Sequence, residues 1–180
     1  MKKFIVKRLS ERTVFRSKNR RLVLKEATDL VNGKRIRHIY RSSKNLGVVI
    51  IPILSDGRIL LERQYRPAIM KRTYELPAGK CNDHETASMA AVRELEEETG
   101  FKARKMSFLY KRRPAPWLMD NTDKIFLAQD LLKTGKRPDG DEIIDIVPLK
   151  TSKIKQMIKA GIIEDSGTRE ALLYWCYLKV

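Results

Sequence analysis

The sequence predicts a mixed α/β domain preceded by a small antiparallel β segment. Three observations predict it. Short apolar runs of strand length are interspersed with a few runs at helical spacing, the pattern of a sheet accompanied by helices. Residues 4–44 alternate apolar and polar side chains in places and carry Asn32-Gly33, a strong hairpin-turn signal. Residues 46–54, "LGVVIIPIL", are apolar enough for a buried strand. A chain of 180 residues suits one such domain with a short extension, so the boundary is placed between a β-rich segment at 1–44 and a main domain at 45–180.

In order along the chain, residues 4–44 read as two or three antiparallel strands, with "KRIRHIYRS" following the Asn-Gly turn. The buried strand at 46–54 is followed by an Asp56-Gly57 turn and a second strand from Arg58 to about Gln64. "ELPAGK", Glu75 to Lys80, reads as a loop because Pro77 and Gly79 punctuate it. From about Glu85 to Glu98 the spacing of Ala87, Ala90, Ala91 and Leu95 predicts a helix, which Gly100 ends. "SFLYKRR", "DKIFLAQDL" and "EIIDIVPL" read as strands. Two helices follow, Ser152 to Ala160 with Ile154, Met157 and Ile158 on one face, and another from about Thr168 presenting Ala171, Leu172, Trp175 and Leu178.

The composition, 42% hydrophobic and 33% charged, suits a folded soluble protein better than a disordered chain. No apolar run approaches the ~20 residues needed to span a bilayer, and the start, "MKKFIVKRLSERT", lacks the apolar stretch of a signal peptide. Two cysteines, Cys81 and Cys176, make no disulfide framework and fit a reducing cytoplasm. The net charge is +16, and about +12 of it lies in residues 1–44. That excess implies attraction for phosphate-bearing ligands, whether nucleic acid or small nucleotides, and equally suits solvated strand faces.

Against this basic background the segment "RELEEETGF" concentrates acid. On a helix Glu94, Glu97 and Glu98 share a face while Glu96 turns aside. Like charges so placed repel by about 0.2–0.5 kcal/mol per pair, and acids at a helix C-terminus also oppose the macrodipole. A cation would reverse that cost, and Mg²⁺ characteristically binds a few carboxylates together with substrate phosphates. A solvated acidic surface near Lys102, Arg104 and Lys105 is the alternative reading.

The wider context favours the cation. Gly79, five residues, Glu85, seven residues, then Arg93-Glu94-Leu95-Glu96-Glu97-Glu98-Thr99-Gly100-Phe101 resembles in full the Nudix hydrolase signature, G-x5-E-x7-R-E-U-x-E-E-x-G-U. The resemblance implies an α/β/α sandwich with a mixed sheet, holding Mg²⁺, with Mn²⁺ as an alternative, and hydrolysing a nucleoside diphosphate linked to another moiety. Glu94, Glu97 and Glu98 match the family's metal ligands, and the Ala78 carbonyl matches a further ligand position in relatives sharing "PAG". Arg93 matches an arginine that braces the glutamates, and Glu85 one that supports the loop. Gly79 and Gly100 fit turn positions.

"RQYRP" at 63–67, "ELPAGK", and Pro116 at 15 residues past Phe101 resemble the ADP-ribose pyrophosphatase and nucleotide-sugar branch. That branch commonly forms homodimers with exchanged N-terminal strands. The resemblance makes Arg66 a candidate for the diphosphate, Glu75 for sugar or metal-water contact, and Glu142, with Asp141 next, for the catalytic base on a loop at 136–146. Each has a plainer alternative as a strand-end or polar-loop residue. Trp117 and Asn121 depart from the branch, where a glycine and an acid are usual; Asp120 or Asp123 would have to replace the acid. Trp117 itself suits stacking on a base, lining a sugar pocket, or a hydrophobic contact. Competing readings are an RNA 5′-pyrophosphohydrolase, a dinucleoside polyphosphate hydrolase, and a non-catalytic nucleotide-binding module.

Overall fold

A computed structural model describes residues 6–17, 21–31, 33–42, 46–135 and 144–178. The chain divides into two units, 1–44 with 113–121 and 45–112 with 122–180. In the first, strands β1 (Val6–Arg16), β2 (Arg21–Asp29) and β3 (Arg35–Ser42) form an antiparallel sheet in the order β1-β2-β3. The β2–β3 turn closes where Gly33 takes φ 70° and donates its N–H to the Asp29 carbonyl at 2.8 Å, a left-handed conformation that glycine adopts without a Cβ penalty. Period-two alternation gives the sheet two faces. Val23 and Tyr40 lie opposite each other and are buried, whereas Leu22 and Phe15 face each other on the other side and are exposed.

The sequence assigns residues 113–121 to the main domain, but they pack with the N-terminal strands. The cause is the open edge of β3, whose unpaired backbone groups require partners. The Arg41 N–H donates to the Leu118 carbonyl at 2.7 Å, and the Ser42 hydroxyl donates to Asp120 at 3.1 Å.

The second unit contains two sheets. One has the order β7 (Ala78–Lys80), β4 (Gly47–Pro52), β9 (Asp123–Lys133), β8 (Phe101–Arg112); β4 and β9 are parallel and the other pairs antiparallel, so the sheet is mixed. The other has the order β10 (Ile144–Leu149), β5 (Ile59–Arg66), β6 (Lys71–Glu75). Strand β4 is buried along its whole length because both of its faces are covered. Val48 and Ile50, with Phe126 and Ala128 of β9, pack against Ala87, Ala90, Ala91 and Leu95 of helix α1 (Ala87–Thr99). Val49 and Ile51, with Ile125 and Leu127, pack on the opposite side with Ile154 and Met157 of α2 (Thr151–Lys159) and Ala171 and Leu172 of α3 (Ser166–Leu173). Helices on both faces of a mixed sheet make this unit the expected α/β/α sandwich.

Local differences from the sequence reading have physical causes. Strands β4 and β5 flank the Asp56-Gly57 turn but enter different sheets, joined by a bridge from Ile53 to Ile59. Ala78–Lys80, read as a loop, is a strand because it pairs with Gly47–Val49. Helix α1 starts at Ala87 rather than Glu85, since the Thr86 hydroxyl caps it by accepting from the Met89 N–H at 3.2 Å. The last helix starts at Ser166, capped by Asp165, and Tyr174–Leu178 continue it as a π-helical turn.

One face of β5–β6 carries a buried polar row. Glu62 and Gln64 of β5 lie opposite Glu75 and Thr73 of β6, and all four are buried. The Arg66 guanidinium grips Glu75 through Nε at 2.8 Å and Nη2 at 2.6 Å, and the Thr73 hydroxyl donates to Glu75 at 2.5 Å. Burial pushes the Glu75 carboxyl up, but the hydrogen bonds from Arg66 and Thr73 and the guanidinium charge outweigh it, and the group sits below its ordinary value of 4.5. Such a depressed carboxylate contributes stability that is present above about pH 4.5 and is lost as pH falls through its lowered folded value. Thr73→Val is therefore expected to cost about 2 kcal/mol at pH 7, the scale of a hydrogen bond to a charged group, and clearly less at pH 3. Urea unfolding at the two pH values checks this; an equal cost at both would mean that Thr73 acts by packing alone.

Candidate active site

Helix α1 carries the site because its apolar positions are all used on one side. Ala87, Ala90, Ala91 and Leu95 fill the core, which leaves Arg93, Glu94, Glu97 and Glu98 partly exposed on the rest of its circumference. Gly100 ends the helix at φ 71°, donating its N–H to the Glu96 carbonyl at 3.0 Å, and its own carbonyl accepts from the Thr134 N–H at 2.9 Å.

Arg93 is the hub. Its Nε and Nη2 donate to the two oxygens of Glu85 at 2.9 Å each, and Nη2 also donates to the Lys80 carbonyl at 2.9 Å. Its Nη1 donates to Glu97 at 2.9 Å and lies 3.0 Å from Glu94. The same Glu85 carboxylate accepts from the Asn82 N–H at 2.8 Å. The hydrogen bonds with Glu85, foremost, and with Glu97 and Glu94 raise the Arg93 guanidinium further above its ordinary value despite burial. Arg93, with Asn82, in turn holds the Glu85 carboxyl below its ordinary value.

The edge strand β7 holds the other two glutamates. The Lys80 N–H donates to Glu94 at 3.1 Å and the Ala78 N–H donates to Glu98 at 2.9 Å. Gly79 lies between them, and a Cβ there would stand 1.9 Å from a Glu94 carboxylate oxygen, so a larger residue would displace that carboxylate from its present place. Burial pushes the Glu94 carboxyl up; Arg93 opposes this and Glu97 adds to it, and the net shift is upward. An additional positive charge would stabilise this carboxylate. A hollow of about 410 Å³ opens beside the cluster, lined by Glu85, Met89, Arg93, Glu96 and Glu97 among others.

The donor chemistry fits a divalent cation of the Mg²⁺ type, since Glu94, Glu97 and Glu98 offer only hard oxygen atoms and the glycine cradle presses Glu94 against β7. Among the described residues no three acidic, histidine or cysteine side chains converge closely enough to enclose an ion. Arg93 and the β7 amides hold the carboxylates instead.

The other sequence candidates are placed differently. Arg66 and Glu75, expected as separate ligand contacts, bind each other. Trp117 belongs to the N-terminal unit, where the residue is 70% exposed and its carbonyl meets His38 Nε2. Of the two acids that would replace the one missing at Asn121, Asp120 accepts from Ser42 and Asp123 pairs with Arg112 at 3.4 Å. Glu142 and Asp141 lie outside the described residues. Sequence reasoning missed Lys80, which serves the site through its backbone and so leaves no side-chain signal. It also missed the Arg66–Glu75 pairing, which depends on strand register.

Comparison with known proteins agrees with this geometry. The model of the NUDIX domain matches residues 43–164, more than half of the chain. The chain is 37% identical over 168 residues to the ADP compounds hydrolase NudE of Escherichia coli, covering 91% of this chain and 84% of that protein. It is 28% identical over 152 residues to the ADP-ribose pyrophosphatase of Bacillus subtilis, covering 83% and 81%. A crystal structure of an ADP compounds hydrolase superposes with a TM-score of 0.85 at 25% identity, covering 96% of this chain and 94% of that one. With the signature residues gathered around Arg93 in the sandwich that the family shares, the chain belongs to the Nudix hydrolase family.

Proposed function

We propose that the protein hydrolyses the diphosphate bond of ADP-ribose or a related nucleoside diphosphate sugar, giving a nucleoside monophosphate and a sugar phosphate. The observation that carries this reading is the packing of Glu94, Glu97 and Glu98 around Arg93 and the glycine cradle of β7. The names of the similar proteins, an ADP-ribose pyrophosphatase and an ADP compounds hydrolase, support the substrate class.

Nudix hydrolases generally work with a divalent metal, and here Glu94, Glu97, Glu98 and the Ala78 carbonyl would hold Mg²⁺, with Mn²⁺ as the alternative. When bound, such an ion neutralises diphosphate charge and lowers the pKa of water. The protein's own residues do the rest. Arg93 orients the carboxylates of Glu94 and Glu97, and Glu85 fixes Arg93 in turn. Glu142, with Asp141 as the alternative, takes the proton from the attacking water as the P–O bond of the diphosphate breaks. Arg66, kept in place by Glu75, offers its guanidinium to the diphosphate, and Trp117 offers an exposed indole to the base or sugar. Arg93 is read as a positioning residue.

The outward face of β1–β2–β3, with Phe15, Leu22 and Ile39 exposed, is read as a homodimer surface. The substrate is a small nucleotide. No described helix is long and apolar enough to cross a membrane, and a cytoplasmic location remains part of this reading.

A panel of ADP-ribose, other nucleotide sugars, dinucleoside polyphosphates and 5′-triphosphate RNA, assayed with Mg²⁺ and with EDTA, tests the function. ADP-ribose is expected to be cleaved preferentially, to AMP and ribose 5-phosphate, and only with the metal; preference for the RNA would sink the assignment. Glu97→Gln and Glu98→Gln are each expected to lower kcat by at least about 100-fold, since even groups that only orient metal ligands carry about 10–100-fold. The same changes should shift the stability of the metal-free protein by no more than about 1 kcal/mol, as for a partly exposed ion pair. Unfolding with unchanged specific activity would contradict the metal roles. Light scattering is expected to give a dimer mass that Phe15→Glu halves; a monomeric parent protein would remove the dimer.

A further inference from the structure

The segment that forms the cradle is held residue by residue. The Pro77 carbonyl accepts from the Ile50 N–H at 2.9 Å, the Ala78 and Lys80 N–H groups reach Glu98 and Glu94, and the Cys81 N–H donates to the Leu46 carbonyl at 2.8 Å. These partners all come from β4, the stretch preceding it, or α1. The contact at the start of the segment has a different origin. The Leu76 N–H donates to the hydroxyl of Thr168 at 2.9 Å, across 92 residues of sequence, and both residues are 2% exposed.

The start of the helix that carries Thr168 is itself held in place. The Thr168 N–H donates to the capping carboxylate of Asp165 at 2.7 Å. Two residues on, Glu170 of the same helix receives Arg112 Nη1 at 3.0 Å, and that arginine's side chain is itself buried. At the neighbouring Gly167 a Cβ would stand 3.3 Å from Arg112 Nη1 and from Asp165, so the helix start sits close against both. A hydroxyl carried on a helix start held in this way has a defined place for the group it binds. The buried Leu76 amide has no access to water, so losing this acceptor would force the segment to shift or leave the amide unsatisfied.

We propose that Thr168 is a positioning residue for the metal-binding cradle: through Leu76 it sets where Pro77 and Ala78 lie, and hence where the β7 backbone meets Glu94 and Glu98. The inference rests on the reading of that cluster as a divalent-metal site. Groups that orient metal ligands without touching the metal typically carry 10–100-fold of affinity or activity. Thr168 has this relation to the Ala78 carbonyl and to Glu98.

The test compares the parent protein with Thr168→Val, which keeps the shape and removes the acceptor, and Thr168→Ser, which restores it. Amide hydrogen exchange is expected to quicken at residues 76–80 in Thr168→Val while β9 is unchanged. Mn²⁺ binding, followed by electron paramagnetic resonance without substrate, is expected to weaken about tenfold, and kcat should fall with KM little changed. Thr168→Ser is expected to recover all three. Undiminished Mn²⁺ binding by folded Thr168→Val would overturn the role of Thr168, whatever its melting temperature. Failure of the parent protein to bind Mn²⁺ would instead overturn the metal reading itself.

Discussion

The guanidinium of Arg93 stands among three carboxylates, and the local structure is arranged around that charge balance. Without it, the acidic face of α1 would repel itself at the very end of the helix where the macrodipole already disfavours anions. Its planar fork lets a single side chain take both oxygens of Glu85, one of Glu97 and the Lys80 carbonyl with separate N–H groups. Those contacts join the loop before the helix, the helix itself and the edge strand. The network therefore fixes the relative placement of three backbone segments while keeping carboxylate oxygens near an open hollow. A lysine could balance the charge but lacks the geometry to hold all of them.

The helix can afford this concentration of charge because its other side is tightly committed. Strand β4 sends alternate residues to opposite helical layers, so α1 is anchored by Val48 and Ile50 while α2 and α3 share Val49 and Ile51. The functional face and the core face thus belong to the same thirteen-residue helix. Burial of Leu95 holds its position against the electrostatic cost on the other side.

Much of this was legible in the sequence because it rests on local periodicity. The helical spacing of Ala87, Ala90, Ala91 and Leu95 locates α1 to within two residues, and the signature singles out Glu85 and Arg93 without pairing them. What the sequence conceals is tertiary. "ELPAGK" carries loop punctuation, yet pairing with β4 makes its second half a strand, since tertiary hydrogen bonding overrides local propensity. The parting of β4 from β5 after a regular turn leaves no trace in either strand. Arg66 and Glu75, read as ligand contacts, meet diagonally along the shared face of β5 and β6, and Thr168 reaches Leu76 through a packing of helix on sheet that no spacing encodes.

The placement of residues 113–121 with the N-terminal strands has an evolutionary consequence. A segment from the middle of the chain completes the edge of the first unit, so the two units are interleaved rather than strung in series. Neither can be excised as one continuous stretch. Loss of residues 1–44 would strand Leu118 and Asp120 without the Arg41 and Ser42 partners that now order them, and a change in length between β8 and β9 would be felt in the N-terminal sheet. The two units are thus constrained to vary together, and a domain exchange that respects only the order of the chain would break both.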